Sequence, residues 1–271
     1  MKKRYTTVLT IAGSDGSGGA GIQADIKTFS ALECFGLSVI TALTAQNTTG
    51  VSMIYPVEEK CITGQFRSIS EDIAIDAVKI GMLGSISAIK TVASLLRELK
   101  GKPPVILDTV LASTGGTALL PAEAIPLLKE ELFPLTSLVT PNLPESALLT
   151  GMKYAPATPE EIEETAAKLL ETGTASVLIK GGHGDGQECR DCLLYDNRFF
   201  WFSSKTIMTG NTHGTGCTLS SAIAAFMARG ETTDSAVAKA KAYIDEALEA
   251  GAAYRSGHGN GPLHHFYRFW Q

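Results

Sequence analysis

Asn211-Thr-His-Gly-Thr-Gly-Cys-Thr-Leu-Ser220 gathers the residue types from which an anion site can be built. Gly214 and Gly216 flank Thr215, Cys217 follows, and the run from Thr218 to Met227 reads as a helix. Glycines let the backbone turn sharply and approach a ligand closely. The first amides of a helix have no partner within it and point outward at the positive end of its dipole. A cysteine there has an ordinary pKa of about 8.5, which the helix start is expected to lower. Anion site and proton acceptor would thus lie side by side. A glycine-rich helix start with a buried cysteine is the plain alternative, and the loop alone does not separate the two.

Further polar residues stand at the carboxyl ends of expected strands. Gln46 follows the strand Leu37–Ala45, and Asp108 closes Val105–Asp108. Asn142-x-x-Glu145 lies just past Ser137–Thr140, and Lys180 leaves the apolar strand Ser176–Lys180 into Gly181-Gly182. Carboxylates and an amide at one edge suit Mg²⁺, which keeps several waters and uses few protein ligands besides phosphates. For Asn142 and Glu145 the alternative is a helix N-cap with an acid in the first turn. Lys180 can reach a phosphate as a point charge, or be a solvated strand end. Lysine, Mg²⁺ and a helix-start anion hole are the parts of phosphoryl transfer. Neither a G-x-x-x-x-G-K-[S/T] loop nor a protein-kinase H-R-D or D-F-G set is present.

These residues need a frame that brings strand ends together. Strand and helix alternate: strand Val8–Ala12, helix 22–34, strands Leu37–Ala45 and Val51–Val57, helix 58–72, strand Ala77–Ile80 and helix 85–99. After strand Val105–Asp108 come a loop 112–118 that reads as mobile, helix 121–131 and strand Ser137–Thr140. Thr158-Pro-Glu-Glu161 is a capping box opening a further helix. Tyr195-Asp-Asn-Arg198 reads as a hairpin turn, and helices fill 214–229 and 233–254. The pattern predicts one α/β domain over residues 1–271, with a mainly parallel sheet covered on both faces. Ligands in such sheets sit beyond the carboxyl ends of the strands.

Gly16-x-Gly18-x-x-Gly21 literally matches the dinucleotide fingerprint. That motif needs an acid at the end of the next strand, where this chain has Gln46-Asn47, so the NAD reading is rejected. The loop is read instead as backbone for a small ligand. With 44% hydrophobic and 19% charged residues among 271, a globular chain is expected. No apolar run is long enough for a membrane span, and no leader is visible. A net charge of −5 without a basic stripe argues against nucleic acid. Five dispersed cysteines fit a reducing cytoplasm, and Cys189-Arg-Asp-Cys192 reads as a coincidence in a strand or loop.

G-T-G followed by a polar residue late in an α/β chain, with N-x-x-E upstream, resembles the ribokinase-like small-molecule kinases. The segments Ala12–Asp25, Ala45-Gln-Asn-Thr48, Lys79–Leu83, Leu107–Val110, Thr140–Glu145, Lys180–His183, Asn211–Cys217 and Gly261-Pro-Leu-His-His265 narrow this further. In this order they resemble the hydroxymethylpyrimidine/phosphomethylpyrimidine kinases of thiamine biosynthesis. The resemblance implies a three-layer αβα sandwich without a separate β-lid. It implies a homodimer, ATP as co-substrate, Mg²⁺ and room for a monovalent cation. The activity would be two successive phosphorylations of 4-amino-5-hydroxymethyl-2-methylpyrimidine. Cys217, Gly214, Thr215 and Gly216 would be catalytic. Gln46, Asp25, Gly13, Ala20 and Met82 would bind the pyrimidine, with the Gln46 amide meeting an aminopyrimidine edge. Lys180, Asp108 and Thr212 would bind nucleotide, and Asn142, Glu145 and Asp108 the metal. Two alternatives stand beside this reading: a pyridoxal or pyridoxine kinase, and a non-catalytic pyrimidine-binding protein on the same fold.

Overall fold

The structure, a computed structural model, describes residues 3–112, 116, 118–182 and 188–270. Residues 113–115 and 117 of the expected mobile loop 112–118 lie outside them, as do residues 183–187. At the ends of the first of these loops, Ala112 and Ala118 pair in an antiparallel bridge.

Nine strands form a single sheet among the described residues: β1 Thr7–Asp15, β2 Phe35–Asn47, β3 Gly50–Pro56, β4 Ala77–Ile80, β5 Val105–Leu107, β6 Leu138–Val139, β7 Val177–Ile179, β8 Glu188–Tyr195 and β9 Arg198–Lys205. Their order is β3-β2-β1-β4-β5-β6-β7-β8-β9, parallel from β2 through β7, with antiparallel strands at both edges. Among the described residues no second sheet forms a lid. The β8–β9 turn falls where the sequence places it, with Asp196 and Asn197 at φ 51° and 55°, the pair of left-handed residues a two-residue hairpin requires.

Eight helices flank the sheet among the described residues: α1 Gly21–Ala31, α2 Glu59–Ser70, α3 Ile86–Glu98, α4 Ile125–Glu131, α5 Leu143–Thr150, α6 Pro159–Leu170, α7 Thr215–Ala228 and α8 Thr233–Gly251. The two-residue period of each strand sorts its side chains between two cores. Val78 and Ile80 of β4, with Leu9 and Ile11 of β1, meet α2, α3, α4 and α6. Ala77 and Val8 face the opposite layer of α1, α7 and α8. The expected 121–131 helix begins with a 3₁₀ turn at Ala122–Ala124, before Pro126 starts the α-helical turn. Helix α5, considered from sequence only as the alternative reading of Asn142 and Glu145, is present and closed by Gly151 at φ 72°.

After α8 the chain returns irregularly and ties down the loop that precedes α7. Asn211 Nδ2 donates to the carbonyls of Gly251 and Tyr254, at 2.6 and 2.7 Å. His213 N–H donates to Gly261 O at 2.9 Å, and Gly261 N–H to Gly210 O at 3.1 Å. Further on, His265 sits 3.1 Å from Thr218 Oγ1, while its carbonyl accepts from Tyr243 Oη at 2.7 Å. Burial, with the Lys27 and His264 charges nearby, pushes the His265 imidazole down to about 4.

A depressed histidine favours its neutral form in the folded state. The linked stability is fully present above the ordinary value of 6.5, and is lost as pH falls through about 4. Relative to His265→Gln, the wild-type protein is therefore expected to lose about 3 kcal/mol of unfolding free energy between pH 7 and pH 4. Urea unfolding across that range checks it; a difference independent of pH would contradict a buried neutral imidazole.

Candidate functional site

The α7 N-terminus opens into the site because Gly214 turns the chain there. Gly214 adopts φ 83°, and a Cβ built on it would lie 1.7 Å from the Gly19 carbonyl oxygen. The N-cap residue Gly214 has no side chain with which to cap the leading amides of α7. Thr215 Oγ1 is spent locally, donating to Thr212 O at 2.8 Å. Gly21, at φ 56°, begins α1 where a Cβ would meet Gly13 O at 2.4 Å. Its backbone N–H favours the thiolate form of Cys217.

The loop before α1 is folded around Asp15. One carboxylate oxygen accepts from Ser17 N–H at 2.9 Å and from Ser17 Oγ at 2.7 Å. The other lies 2.8 Å from both Ala20 N and His213 Nε2. Burial alone would raise this carboxyl, but the bonds from His213, Ser17 and Ala20 hold it down at about 2. The glycine-rich fingerprint is thus an anion-knotted loop and not a dinucleotide turn.

Gln46 stands where β2 and β3 slip register: Ala45 faces Met53, whereas Gln46 faces Val51, so Ser52 is an extra residue. Such a bulge re-aims the following side chains. The amide comes within 3.3 Å of His213 Nε2 and 3.2 Å of Thr44 Oγ1.

A cavity of about 770 Å³ spans these parts. Every candidate from the sequence except Asp25 lines it: the Gly214–Cys217 turn and Thr212, then Gln46 with Gly13, Ala20 and Met82, then Asp108, Asn142, Glu145 and Lys180. Asp25 is corrected on this point. It is fully buried on α1, receiving Lys79 Nζ on both oxygens at 2.9 Å, Thr10 Oγ1 at 2.6 Å and Ser221 Oγ at 2.7 Å. With its lone pairs so occupied, it serves Lys79 and not a ligand.

Lys79 belongs to the segment Lys79–Leu83, in which the sequence assigns no role to the lysine itself. It is fully buried in β4 and lines the cavity floor. Burial would neutralise it, but the carboxylate of Asp25, with that of Asp108 nearby, raises it and keeps it charged. A lysine inside the apolar run Ala77–Ile80 was the available signal; its acid partner lay 54 positions away. His213 was quoted within its motif but given no role. Lys241, paired to Asp191 at 2.7 Å near one end of the cavity, carried no sequence signal.

A second correction concerns Cys217. The expected lowering is not the outcome: burial pushes its thiol up to about 11, Asp25 and Asp108 add to the rise, and Lys79 and the Gly21 N–H oppose it. The resting group is a thiol at neutral pH.

Lys180 Nζ bonds Asp108 Oδ1 at 2.9 Å, and Asp108 also accepts from Thr140 and Ser220 Oγ at 3.3 Å. Although burial opposes it, Lys180, then Lys79, hold the Asp108 carboxyl below the usual range. Asn142 and Glu145 form a reciprocal capping box on α5, Glu145 N–H to Asn142 Oδ1 at 2.8 Å and Asn142 N–H to Glu145 Oε2 at 2.9 Å. Glu145 further accepts from Thr109 Oγ1 and Leu111 N–H. Among the described residues no cluster of three or more His, Cys, Asp or Glu side chains forms a metal cage. The arrangement fits a hydrated divalent cation arriving with phosphates, touched through water, better than a cation held by protein alone.

Residues 15–264 match the phosphomethylpyrimidine kinase family. A hydroxymethylpyrimidine/phosphomethylpyrimidine kinase of Rhizobium meliloti is 46% identical over 263 residues, covering 97% of this chain and 98% of that protein. The crystal structure of phosphomethylpyrimidine kinase from Clostridium difficile is 42% identical, with a TM-score of 0.79 over 89% of this chain and 99% of that one. An ADP complex of Bacillus subtilis pyridoxal kinase is 34% identical, with a TM-score of 0.87 over 97% and 98% of the two chains.

Removing one partner of the buried pair under this cavity isolates a charge. Lys79→Met is expected to cost about 3–5 kcal/mol, and Lys79→Met with Asp25→Leu to recover part of that loss. Denaturant midpoints of the two single variants, Lys79→Met and Asp25→Leu, and of the double variant check it; additive losses would contradict the pairing.

Proposed function

The chain belongs to the phosphomethylpyrimidine kinase family, and from that premise we propose how its residues divide two phosphorylations. The enzyme transfers phosphate from ATP to 4-amino-5-hydroxymethyl-2-methylpyrimidine and then to the monophosphate formed, in thiamine biosynthesis. The observation that carries the assignment is a single cavity with an uncapped helix N-terminus flanked by the amide of Gln46 and the ammonium of Lys180. Gln46, with Gly13, Ala20 and Met82 beside it, holds the pyrimidine. The amides of Gly214 to Cys217 stabilise the transferring phosphoryl group, whose charge is spread over its equatorial oxygens. Lys180 exchanges part of its bond to Asp108 for the nucleotide phosphates, with Thr212 beside them. Mg²⁺ would neutralise those phosphates, oriented through water by Asp108, Asn142 and Glu145.

Cys217 takes the hydroxymethyl proton in the first step. Since its resting thiol is protonated, it first gives its proton to solvent water, and Lys79 is the cation placed to favour the thiolate that then accepts the hydroxymethyl proton. The second nucleophile is a phosphate with a second pKa of about 6, already largely dianionic at neutral pH, which needs no base. The exposed apolar side chains of Leu43, Met53 and Tyr55 on β2 and β3 mark the face assigned to a homodimer. Among the described residues no helix is long and apolar enough to cross a membrane, and a cytoplasmic enzyme is the reading adopted.

Pyridoxal phosphorylation is the second reading, favoured by the likeness to the Bacillus subtilis enzyme. A pyridoxal ring lacks the amino group that Gln46 would recognise, so turnover on the aminopyrimidine is expected to exceed that on pyridoxal; the reverse preference would replace the assignment.

Cys217→Ala is expected to slow the first phosphorylation by about 100-fold or more and the second by only a few-fold. Gly214→Ala, which drives a Cβ into the Gly19 carbonyl, should impair both steps. Separate initial rates on the alcohol and on its monophosphate test this; equal loss in both steps with Cys217→Ala would make the cysteine a scaffold residue and not a base.

A further inference from the structure

Two polar groups crowd around the imidazole of His213, and their donors and acceptors must be reconciled. Nε2 lies 2.8 Å from Asp15 Oδ2. That oxygen belongs to a carboxylate, so Nε2 carries a hydrogen whatever the state of the other ring nitrogen. One end of the Gln46 amide lies 3.3 Å from the same Nε2. An NH₂ group there would set two donors against each other, whereas a carbonyl oxygen would share the imidazole hydrogen with Asp15.

The other end of the amide gives an independent answer. It lies 3.2 Å from Thr44 Oγ1, and Thr44 Oγ1 is also 2.8 Å from Ser14 O. A backbone carbonyl can only accept, so the single Thr44 hydrogen goes to Ser14. Thr44 then has only lone pairs left for Gln46, and the amide end facing it must be NH₂. Both ends demand that the amide be turned over from the arrangement in which its nitrogen faces His213 and its oxygen faces Thr44, so that the oxygen meets His213 and the nitrogen Thr44.

We propose that His213, oriented by Asp15, is a positioning residue that fixes which way the Gln46 amide faces and thereby which pyrimidine edge the enzyme accepts. The proposal rests on Gln46 as the pyrimidine-binding group. Once each end of the amide has one internal partner, one lone pair and one N–H remain for a ligand, in a fixed order. The lone pair, on the His213 side, accepts from the exocyclic amino group. The N–H, on the Thr44 side, donates to the adjacent ring nitrogen. The ring therefore enters with its amino group on the His213 side. The hydroxymethyl carbon is the ring substituent next to that amino group, so this order also turns the reacting alcohol toward Gly214–Cys217, which directly follow His213 in the chain.

The device is rigid at every joint. Asp15 is held by Ser17 and Ala20 as well as by His213. His213 is anchored by its own N–H on Gly261, and its ring packs where a Cβ on Gly19 would come within 2.4 Å of Cδ2. It reads the difference between an amino and an oxo substituent. A 4-oxo pyrimidine offers an acceptor and a ring N–H where the amino substrate offers a donor and a ring acceptor, so it requires the opposite amide orientation.

The test compares kcat/KM for 4-amino-5-hydroxymethyl-2-methylpyrimidine with that for its 4-oxo counterpart, with ATP and Mg²⁺, in wild type, His213→Leu, His213→Gln, Thr44→Val and Gln46→Leu. Wild type is expected to prefer the amino compound by about 100-fold, as two mismatched hydrogen bonds imply. His213→Leu frees the amide and should shrink that ratio at least about tenfold, and Thr44→Val should shrink it in the same direction. His213→Gln restores a donor to both Asp15 and Gln46, and should recover the ratio. A variant that merely loosened the loop would slow both substrates alike and leave the ratio intact, which would overturn the positioning role. An unchanged ratio in Gln46→Leu would overturn the pyrimidine reading of Gln46, and the proposal with it. A collapsed ratio in Gln46→Leu beside an unchanged one in His213→Leu would overturn the proposal alone.

Discussion

The site depends on the close approach of two backbone loops, 15–21 and 211–217. Gly214 has no room for a Cβ against the Gly19 carbonyl, and Gly19 has none against the His213 ring. The contact is therefore glycine against histidine in one direction and glycine against backbone in the other. It aims the α7 N-terminus into the cavity, seats Asp15 on His213, and lets the Gly21 N–H favour the Cys217 thiolate. The α7 N-terminus, the Cys217 thiol and the Gln46 amide are all set by this one junction. The C-terminal segment reinforces it from behind through Gly261 and His265.

Beneath the junction lies a charge arrangement that the loops alone would not create. Lys79 and Asp25 are both fully buried and saturate each other with help from Thr10 and Ser221. Such a pair is weak evidence for stability. Here it leaves a fixed cation near the Cys217 thiol. It counters burial, which otherwise dominates Cys217, and it contributes to holding Asp108 ionised.

Much of this was legible in the sequence, and the misses share a cause. The βα alternation, the hairpin at Tyr195–Arg198 and the capping box at Thr158 follow from local rules, and each is found where periodicity and turn chemistry put it. The strand-end residues Gln46, Asp108, Asn142 and Lys180 converge because a parallel sheet presents all its carboxyl ends along one edge. Asp25 was misplaced because a carboxylate near a glycine loop suggests a ligand, whereas its direction is set by its partner Lys79 on a distant strand. The Cys217 shift failed for the same reason: the helix start is local, but burial beneath neighbouring elements is not. Asn142 and Glu145 had two readings, and the capping box is visible in full, with any metal role acting through it.

The central claim is that this one cavity performs both phosphorylations of one pyrimidine. The most direct measurement is a time course of the purified protein with hydroxymethylpyrimidine and excess ATP in Mg²⁺, resolving mono- from diphosphate. The account predicts that monophosphate rises first and is then converted to diphosphate by the same protein. A reaction that stops at the monophosphate, or no transfer at all, would contradict it.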